Sequence, residues 1–177
     1  DRPTGLGPAY LAGFAYALER GAGLVLEMDA DFSHDPNDVE RLITAVAEGA
    51  DLALGSRYVD GGGVSDWGLV RRIVSRGGCV YVQAVLSVPV RDLTGGFKCF
   101  RREVLEAIDL PTVRAKGYAF QVELTYRALH AGFGVVELPI TFRDRQHGTS
   151  KMNWRIAREA VWLLPRIRRR KRALHFV

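Results

Sequence analysis

Two carboxylates one residue apart, Asp29 and Asp31, follow a short apolar run at residues 24–28. At that spacing they repel one another unless a cation sits between them. Hard oxygen ligands of this kind suit a divalent ion, Mg2+ or Mn2+. Such an ion can hold a diphosphate and neutralise it as it leaves. Further along, Arg57 in Gly55-Ser56-Arg57-Tyr58 offers a planar fork that suits a phosphate, with Arg71 and Arg72 beyond it. The stretch Asp92-Leu93-Thr94-Gly95-Gly96-Phe97-Lys98 has no side-chain bulk at its glycine pair, so its backbone can approach a sugar or a phosphate closely. Residues 143–151 are polar and basic, and Arg145 and Lys151 could act as charge partners of a diphosphate, whereas His147 reads as a loop residue. Each feature also has a plain structural account: a strand end, a helix cap, a solvated arginine, an ordinary turn. Nothing here resembles the nucleophile elbow of a Ser-His-Asp enzyme.

The elements that must position these residues alternate. Gly5, Gly7 and Pro8 open a helix over about residues 9–20, and the apolar run 24–28 fits a buried strand. Asp35 can cap a helix with Pro36 at its first position, running to about residue 48, and residues 51–55 are a second short strand. The order strand, helix, strand argues for an α/β domain with a mostly parallel sheet, whose ligands gather at the carboxyl ends of the strands. Residues 60–65, with three consecutive glycines, are expected to be a mobile loop. Helices are expected at about 67–86, 102–108 and 118–131, the last placing Gln121 and Glu123 in its first turns, where an acid suits the helix dipole. Residues 135–142, interrupted by Pro139, read as an edge strand. An amphipathic helix at 153–164 and a basic run close the chain, so the expected units are a domain over 1–152 and a tail over 153–177.

With 177 residues, nearly half of them apolar, the chain can bury a sizeable core. Its net charge of +5 is local: residues 165–177 hold six basic residues and no acid, and without those six the charge is −1. A localised basic patch suits an anionic surface. Cys79 and Cys99 are too few and too far apart for a zinc cluster or a disulfide framework. Residues 1–10 lack the apolar core of a secretory signal, and no segment is apolar over the length a bilayer span needs.

Taken in order, Met28-Asp29-Ala30-Asp31-Phe32-Ser33-His34-Asp35-Pro36, Gly55-Ser56-Arg57-Tyr58, Thr94-Gly95-Gly96-Phe97-Lys98, Gly117-Tyr118-Ala119-Phe120-Gln121-Val122-Glu123 and the segment from Arg145 through Gly148-Thr149-Ser150-Lys151 resemble the dolichyl- or polyprenyl-phosphate mannose synthases. These are inverting glycosyltransferases with a GT-A, Rossmann-like fold, and the resemblance covers nearly the whole chain. It implies that Asp29 and Asp31 hold the Mg2+ or Mn2+ and the donor diphosphate. Ser33 stands where many members have a glutamine that helps the metal, and a serine reaches less far. The resemblance further implies that Arg57 and Arg71 hold the acceptor phosphate, with Asp31, Arg57 and Arg71 the catalytic set. Arg145, Ser150 and Lys151 match the loop that closes over the donor. The implied partners are GDP-mannose, a polyprenyl phosphate, the cytoplasmic face of a membrane and a membrane-anchoring protein, but no nucleic acid.

The family's opening strand, with its Pro-x-Tyr-Asn-Glu motif, and the following acidic motif do not occur here. The chain is therefore expected to be a GT-A domain incomplete at the N-terminus and, alone, inactive. Alternatives are transfer of glucose or another sugar to the same lipid class, and a non-catalytic fragment or binding module that uses the basic tail.

Overall fold

A computed structural model describes residues 5–113, 115, 117–144 and 168. The first helix, α1 (Leu6–Glu19), starts behind Gly5, whose φ of 93° lies in the left-handed region. Strand β1 (Leu24–Glu27) follows and ends just before Asp29. Helix α2 (Asp38–Ala47) begins two residues later than a cap at Asp35 would put it. Asp35 instead builds the lead-in turn: its Oδ1 accepts from the Asn37 N–H at 3.0 Å, and its carbonyl accepts from the Asp38 N–H. Strand β2 (Leu52–Ser56) is buried along its whole length. It is followed by β3 (Gly63–Val64), α3 (Leu69–Leu86), β4 (Lys98–Arg101) and α4 (Arg102–Ala107). After a 3-10 turn at Leu110–Thr112 come α5 (Tyr118–His130), β5 (Val135–Pro139) and β6 (Thr141–Phe142).

The main sheet has the order β1-β4-β2-β5. β1, β2 and β5 run in one direction, and β4 runs against its neighbours β1 and β2. The mostly parallel expectation thus holds for strand direction, with one reversed strand inserted between β1 and β2. Lys98-Cys99-Phe100-Arg101 gave no alternation from which to predict β4, because a charged residue that is fully buried stands at its start. The edge-strand reading of 135–142 holds for β5, which ends at Pro139, a residue with no N–H to donate.

The loop expected at 60–65 is instead tied down. Gly63 and Val64 pair in parallel with Thr141 and Phe142. Gly62 is pressed against the backbone, where an added Cβ would lie 2.5 Å from the Ser56 carbonyl oxygen. Glycine here serves close packing.

Three apolar clusters hold the layers. Phe14, Phe100, Val104, Phe120 and Leu124 join α1, α4 and α5 to the sheet. Leu54, Val82, Leu86 and Tyr126 join α3 and α5 to β2. Leu42, Val46, Ala53, Phe97 and Ile140 seat α2 on the other face. No described helix is long and apolar enough to cross a membrane.

Candidate active site

β1 and β2 point the same way, so Asp29 and Arg57 emerge at one edge of the sheet. Because β4 is reversed, its beginning reaches that edge too, and Lys98 pairs with Glu27 on one side and Leu54 on the other. The glycine pair before β4 fills the gap between the two forward strands. A Cβ on Gly96 would lie 3.6 Å from Asp29 Oδ1 and 3.4 Å from Gln121 Nε2, and one on Gly95 would lie 3.3 Å from the Gly55 carbonyl. Space beside the Asp29 carboxylate therefore exists only while residue 96 has no side chain.

On the acidic side, Asp31 Oδ1 accepts from the Ser33 N–H at 3.1 Å, which fixes the turn after β1. The Ser33 hydroxyl is buried without a hydrogen-bond partner. Asp29 is about one-third exposed and is hydrogen-bonded by the Tyr10 phenol from α1. Burial, then the charges of Glu27 and Asp29, push the Tyr10 pKa up. Among the described residues no three His, Cys, Asp or Glu side chains converge on a metal position. Asp29, Asp31 and the orphaned Ser33 hydroxyl nevertheless form a hard oxygen set, of the kind that binds Mg2+ or Mn2+ through one or two carboxylates plus substrate phosphate.

On the basic side, Arg57 is clamped. Its Nε and Nη2 donate to Asp92 at 2.7 and 2.6 Å, Nη2 also donates to Thr94 Oγ1 at 2.8 Å, and its backbone N–H donates to Asp92 Oδ2 at 3.0 Å. Burial alone would raise the Asp92 pKa, but the Arg57 guanidinium outweighs it and holds the carboxyl below its usual range. Arg71 presents Nη1 to both Asp144 oxygens at 2.8 Å, and its guanidinium lies 4.1 Å above the Trp67 ring centre. Arg57 lies 5.7 Å from the same ring, so the two arginines flank one indole.

His34 joins the two sides. Its Nε2 is 3.9 Å from Asp29 Oδ2, and its ring packs on Phe97 at 4.8 Å and Phe142 at 5.1 Å. Phe142 in turn lies 5.5 Å from the Arg57 guanidinium. Burial, helped by Arg57, lowers the His34 pKa to about 4, so the ring is neutral. Asp29, Asp31, Arg57 and Arg71 thus share one edge of the molecule.

Beneath Asp29 lies a buried polar knot. Lys98 Nζ donates to Gln121 Oε1 at 2.6 Å and to the Gln121 carbonyl at 3.0 Å, and stands 3.6 Å from Glu27 Oε1. Burial pushes Glu27 up to about 7 against the pull of Lys98, and lowers Lys98. With its oxygen held by the ammonium, the Gln121 amide must turn Nε2 towards Gly96 and the site. Glu123 faces elsewhere, bonded to Arg127 and to the Ala115 N–H.

Tyr10, Glu27 and Asp144 were not singled out from the sequence, and Asp92, His34, Lys98 and Gln121 stood in quoted segments without the partners the structure gives them. The available signal was a charge inside an apolar run, Glu27 after Leu24-Val25-Leu26 and Lys98 between Phe97 and Cys99, since such a charge must find a partner. Arg145, Ser150, Lys151 and His147, with the amphipathic segment 153–164, lie outside the described residues. A recess of about 420 Å³ lined by Asp38, Arg41, Pro139 and Arg143 includes neither Asp29 nor Arg57.

The description of Glycosyl transferase family 2 matches residues 1–109. The chain is 52% identical over 159 residues to a polyprenol monophosphomannose synthase of Mycolicibacterium smegmatis, covering 90% of this chain and 60% of that protein. It is 46% identical over 157 residues to an undecaprenyl-phosphate mannosyltransferase of Micrococcus luteus, covering 89% and 64%. The chain therefore spans under two thirds of the length of these curated relatives. Among solved structures, glucosyl-3-phosphoglycerate synthase of Mycobacterium tuberculosis in complex with Mg2+ and uridine diphosphate matches 94% of this chain and 55% of its own, with a TM-score of 0.64 at 18% identity. That likeness establishes the GT-A fold. A strand edge that carries Asp29 and Asp31, in a chain matched by the family description over more than half its length, makes this protein a member of glycosyl transferase family 2.

Proposed function

We propose that the protein of which this chain forms part transfers mannose from GDP-mannose to a polyprenyl phosphate with inversion at the anomeric carbon. The observation that carries the reading is the shared edge, with Asp29 and Asp31 on one side of His34 and two arginines flanking Trp67 on the other. One group of charges suits a cation-bound diphosphate, the other a phosphate monoester. The names of the curated relatives point to the mannosyl group and the polyprenyl acceptor.

The chemistry needs few groups. A phosphate monoester has a second pKa of about 6, so the acceptor is largely ionised at neutral pH and needs no general base. Its oxygen attacks the anomeric carbon opposite the leaving group; that C–O bond forms as the bond to the diphosphate breaks, and the electron pair leaves with the nucleoside diphosphate. Asp29 and Asp31, with the Ser33 hydroxyl, would hold a Mg2+ or Mn2+ ion whose charge offsets that of the diphosphate. Arg71, about 30% exposed, exchanges Asp144 for the acceptor phosphate. Arg57, held rigid by Asp92, presents Nη1, the nitrogen not engaged by Asp92 or Thr94. Arg145, Ser150 and Lys151 are assigned to donor closure by the family resemblance.

The test is made on the full-length protein. Arg71→Ala should lower transfer to polyprenyl phosphate by about 100-fold or more, with nucleotide affinity changed less than about threefold. Equal losses in both would remove the acceptor role. Preference for UDP-glucose over GDP-mannose would replace the donor, and a product of retained anomeric configuration would exclude direct displacement.

A further inference from the structure

The Glu27–Lys98–Gln121 knot stands at the end of β1, the start of β4 and the first turn of α5. Lys98 is fully buried, and Glu27 and Gln121 are each 2% exposed. Stability alone does not call for it, because a well-packed apolar trio of similar volume serves folding as well or better. A buried ammonium does one thing that an apolar side chain cannot: it chooses the orientation of a neighbouring amide. Lys98 has three donors and no acceptor, so it takes the oxygen end of Gln121. Its Nζ donates to Gln121 Oε1 at 2.6 Å and to the Gln121 carbonyl at 3.0 Å, which ties the first turn of α5 to β4. Glu27, opposite Lys98 in the antiparallel ladder, supplies the counter-charge at 3.6 Å.

The amide nitrogen is left facing Gly96. A Cβ there would lie 3.4 Å from Gln121 Nε2 and 3.6 Å from Asp29 Oδ1, so the amide and the carboxylate border one gap. On the other side of the glycine pair, a Cβ on Gly95 would lie 3.3 Å from the Gly55 carbonyl, two residues before Arg57. The gap therefore lies between the acidic and the basic sides of the strand edge. A diphosphate belongs with the cation at Asp29 and Asp31, and the acceptor anion belongs with the arginines. The group that passes between them is a sugar ring, which carries hydroxyls and no charge. An uncharged N–H held in one orientation suits a hydroxyl oxygen, whereas the anions at this edge have charged partners.

We infer that Gln121 is a specificity-determining residue whose Nε2 donates to one hydroxyl of the donor's sugar, and that Lys98 and Glu27 are positioning residues that hold the amide in that orientation. A site built to hydrogen-bond one hydroxyl rejects a sugar that lacks it more strongly than an apolar wall does. The inference deepens the proposed function and rests on it for the identity of the sugar.

The experiment measures binding to the full-length protein by calorimetry with Mg2+ and without acceptor. The ligands are GDP, GDP-mannose and the monodeoxy analogues of GDP-mannose, each lacking one hydroxyl. Gln121→Met should leave GDP affinity within about twofold and lower GDP-mannose affinity about tenfold. One monodeoxy analogue should bind the wild type about tenfold more weakly than GDP-mannose, yet bind the variant as well as GDP-mannose does, because that pair is already broken. The other analogues should lose equally in both proteins. A residue that only braced the fold would produce no coupling to a single hydroxyl.

Gln121→Met removes one acceptor from Lys98, so circular dichroism and thermal unfolding accompany the binding data. Gly96→Ala leaves the knot intact and puts a methyl group into the gap, at ordinary contact distance from Nε2 and Asp29. It should abolish the same coupling without depending on the stability of the first variant. Equal losses for GDP and GDP-mannose in the folded variants, or no hydroxyl coupled to either substitution, would overturn the inference. Preference of the wild type for UDP-glucose over GDP-mannose would defeat the proposed donor alone, and the same cycle with UDP and monodeoxy UDP-glucoses would then decide the role of Gln121.

Discussion

Asp92 carries more of the site than any residue whose role was readable from spacing. It is buried, accepts three hydrogen bonds from Arg57, and lies 35 positions away along the chain. Asp92→Asn leaves a buried guanidinium without its counter-charge, and a loss of about 3–5 kcal/mol in unfolding free energy is expected by urea titration. The pH dependence follows from the direction of the shift. The folded Asp92 pKa is below the unfolded value of about 3.9, so its contribution is fully present above that pH. It is lost as pH falls through the lower, folded value. The wild-type protein should therefore lose more stability than Asp92→Asn on acidification below about pH 4, and parallel pH profiles would contradict the pairing. Asp29, Asp31, Arg57 and Arg71 were legible as an ordered set of motifs. Their partners Asp92, Asp144, His34 and Tyr10 were not, because a single sequence does not print which distant carboxylate a buried arginine will meet.

At the level of elements, α1, α2, α3, α4 and α5 were all visible from periodicity, glycine and proline, with no end moved by more than three residues. β4 was invisible because its first residue, Lys98, is a buried charge that breaks the apolar pattern, and its role came from insertion between two strands that run against it. Without β4 there is no Gly96 beside Asp29 and no Lys98 beneath it. Glycines that look alike in the sequence divide by their neighbours. At Gly78, on the exposed surface of α3, an added Cβ meets nothing. Gly78→Ala should raise unfolding free energy by about 0.5–1 kcal/mol through helix propensity. At Gly62 an added Cβ runs into backbone, and Gly62→Ala should lower it by about 1–3 kcal/mol. Thermal unfolding of the two variants in parallel tests the contrast; equal shifts would refute it.

On the scale of the molecule, charge is unevenly distributed along the chain. The body is near neutral, while six basic residues crowd into 165–177, and α3 adds the exposed Arg72 and Arg76. Removal of the basic run 166–172 should weaken binding to anionic vesicles at low salt, and the difference from the wild type should shrink as salt rises, because screening acts within about 10 Å at 0.1 M. A salt-independent difference would mean that the run acts by shape instead of charge. The α/β class and the strand edge that gathers the site were legible from the alternation of elements. The apolar exterior of α3 was not: Leu69, Ile73 and Val80 look like core positions until the fold shows that the helix turns Cys79, Val82 and Leu86 inward instead.

His34 has an electrostatic consequence of its own. Asp29 and Arg57 carry opposite charges at the ends of β1 and β2, with the start of β4 between them. An uncharged imidazole packed between Phe97 and Phe142 works as an insulator in that gap. The two charges therefore stay apart along the strand edge, the Asp29 carboxylate on one side of the ring and the Asp92-bound guanidinium on the other.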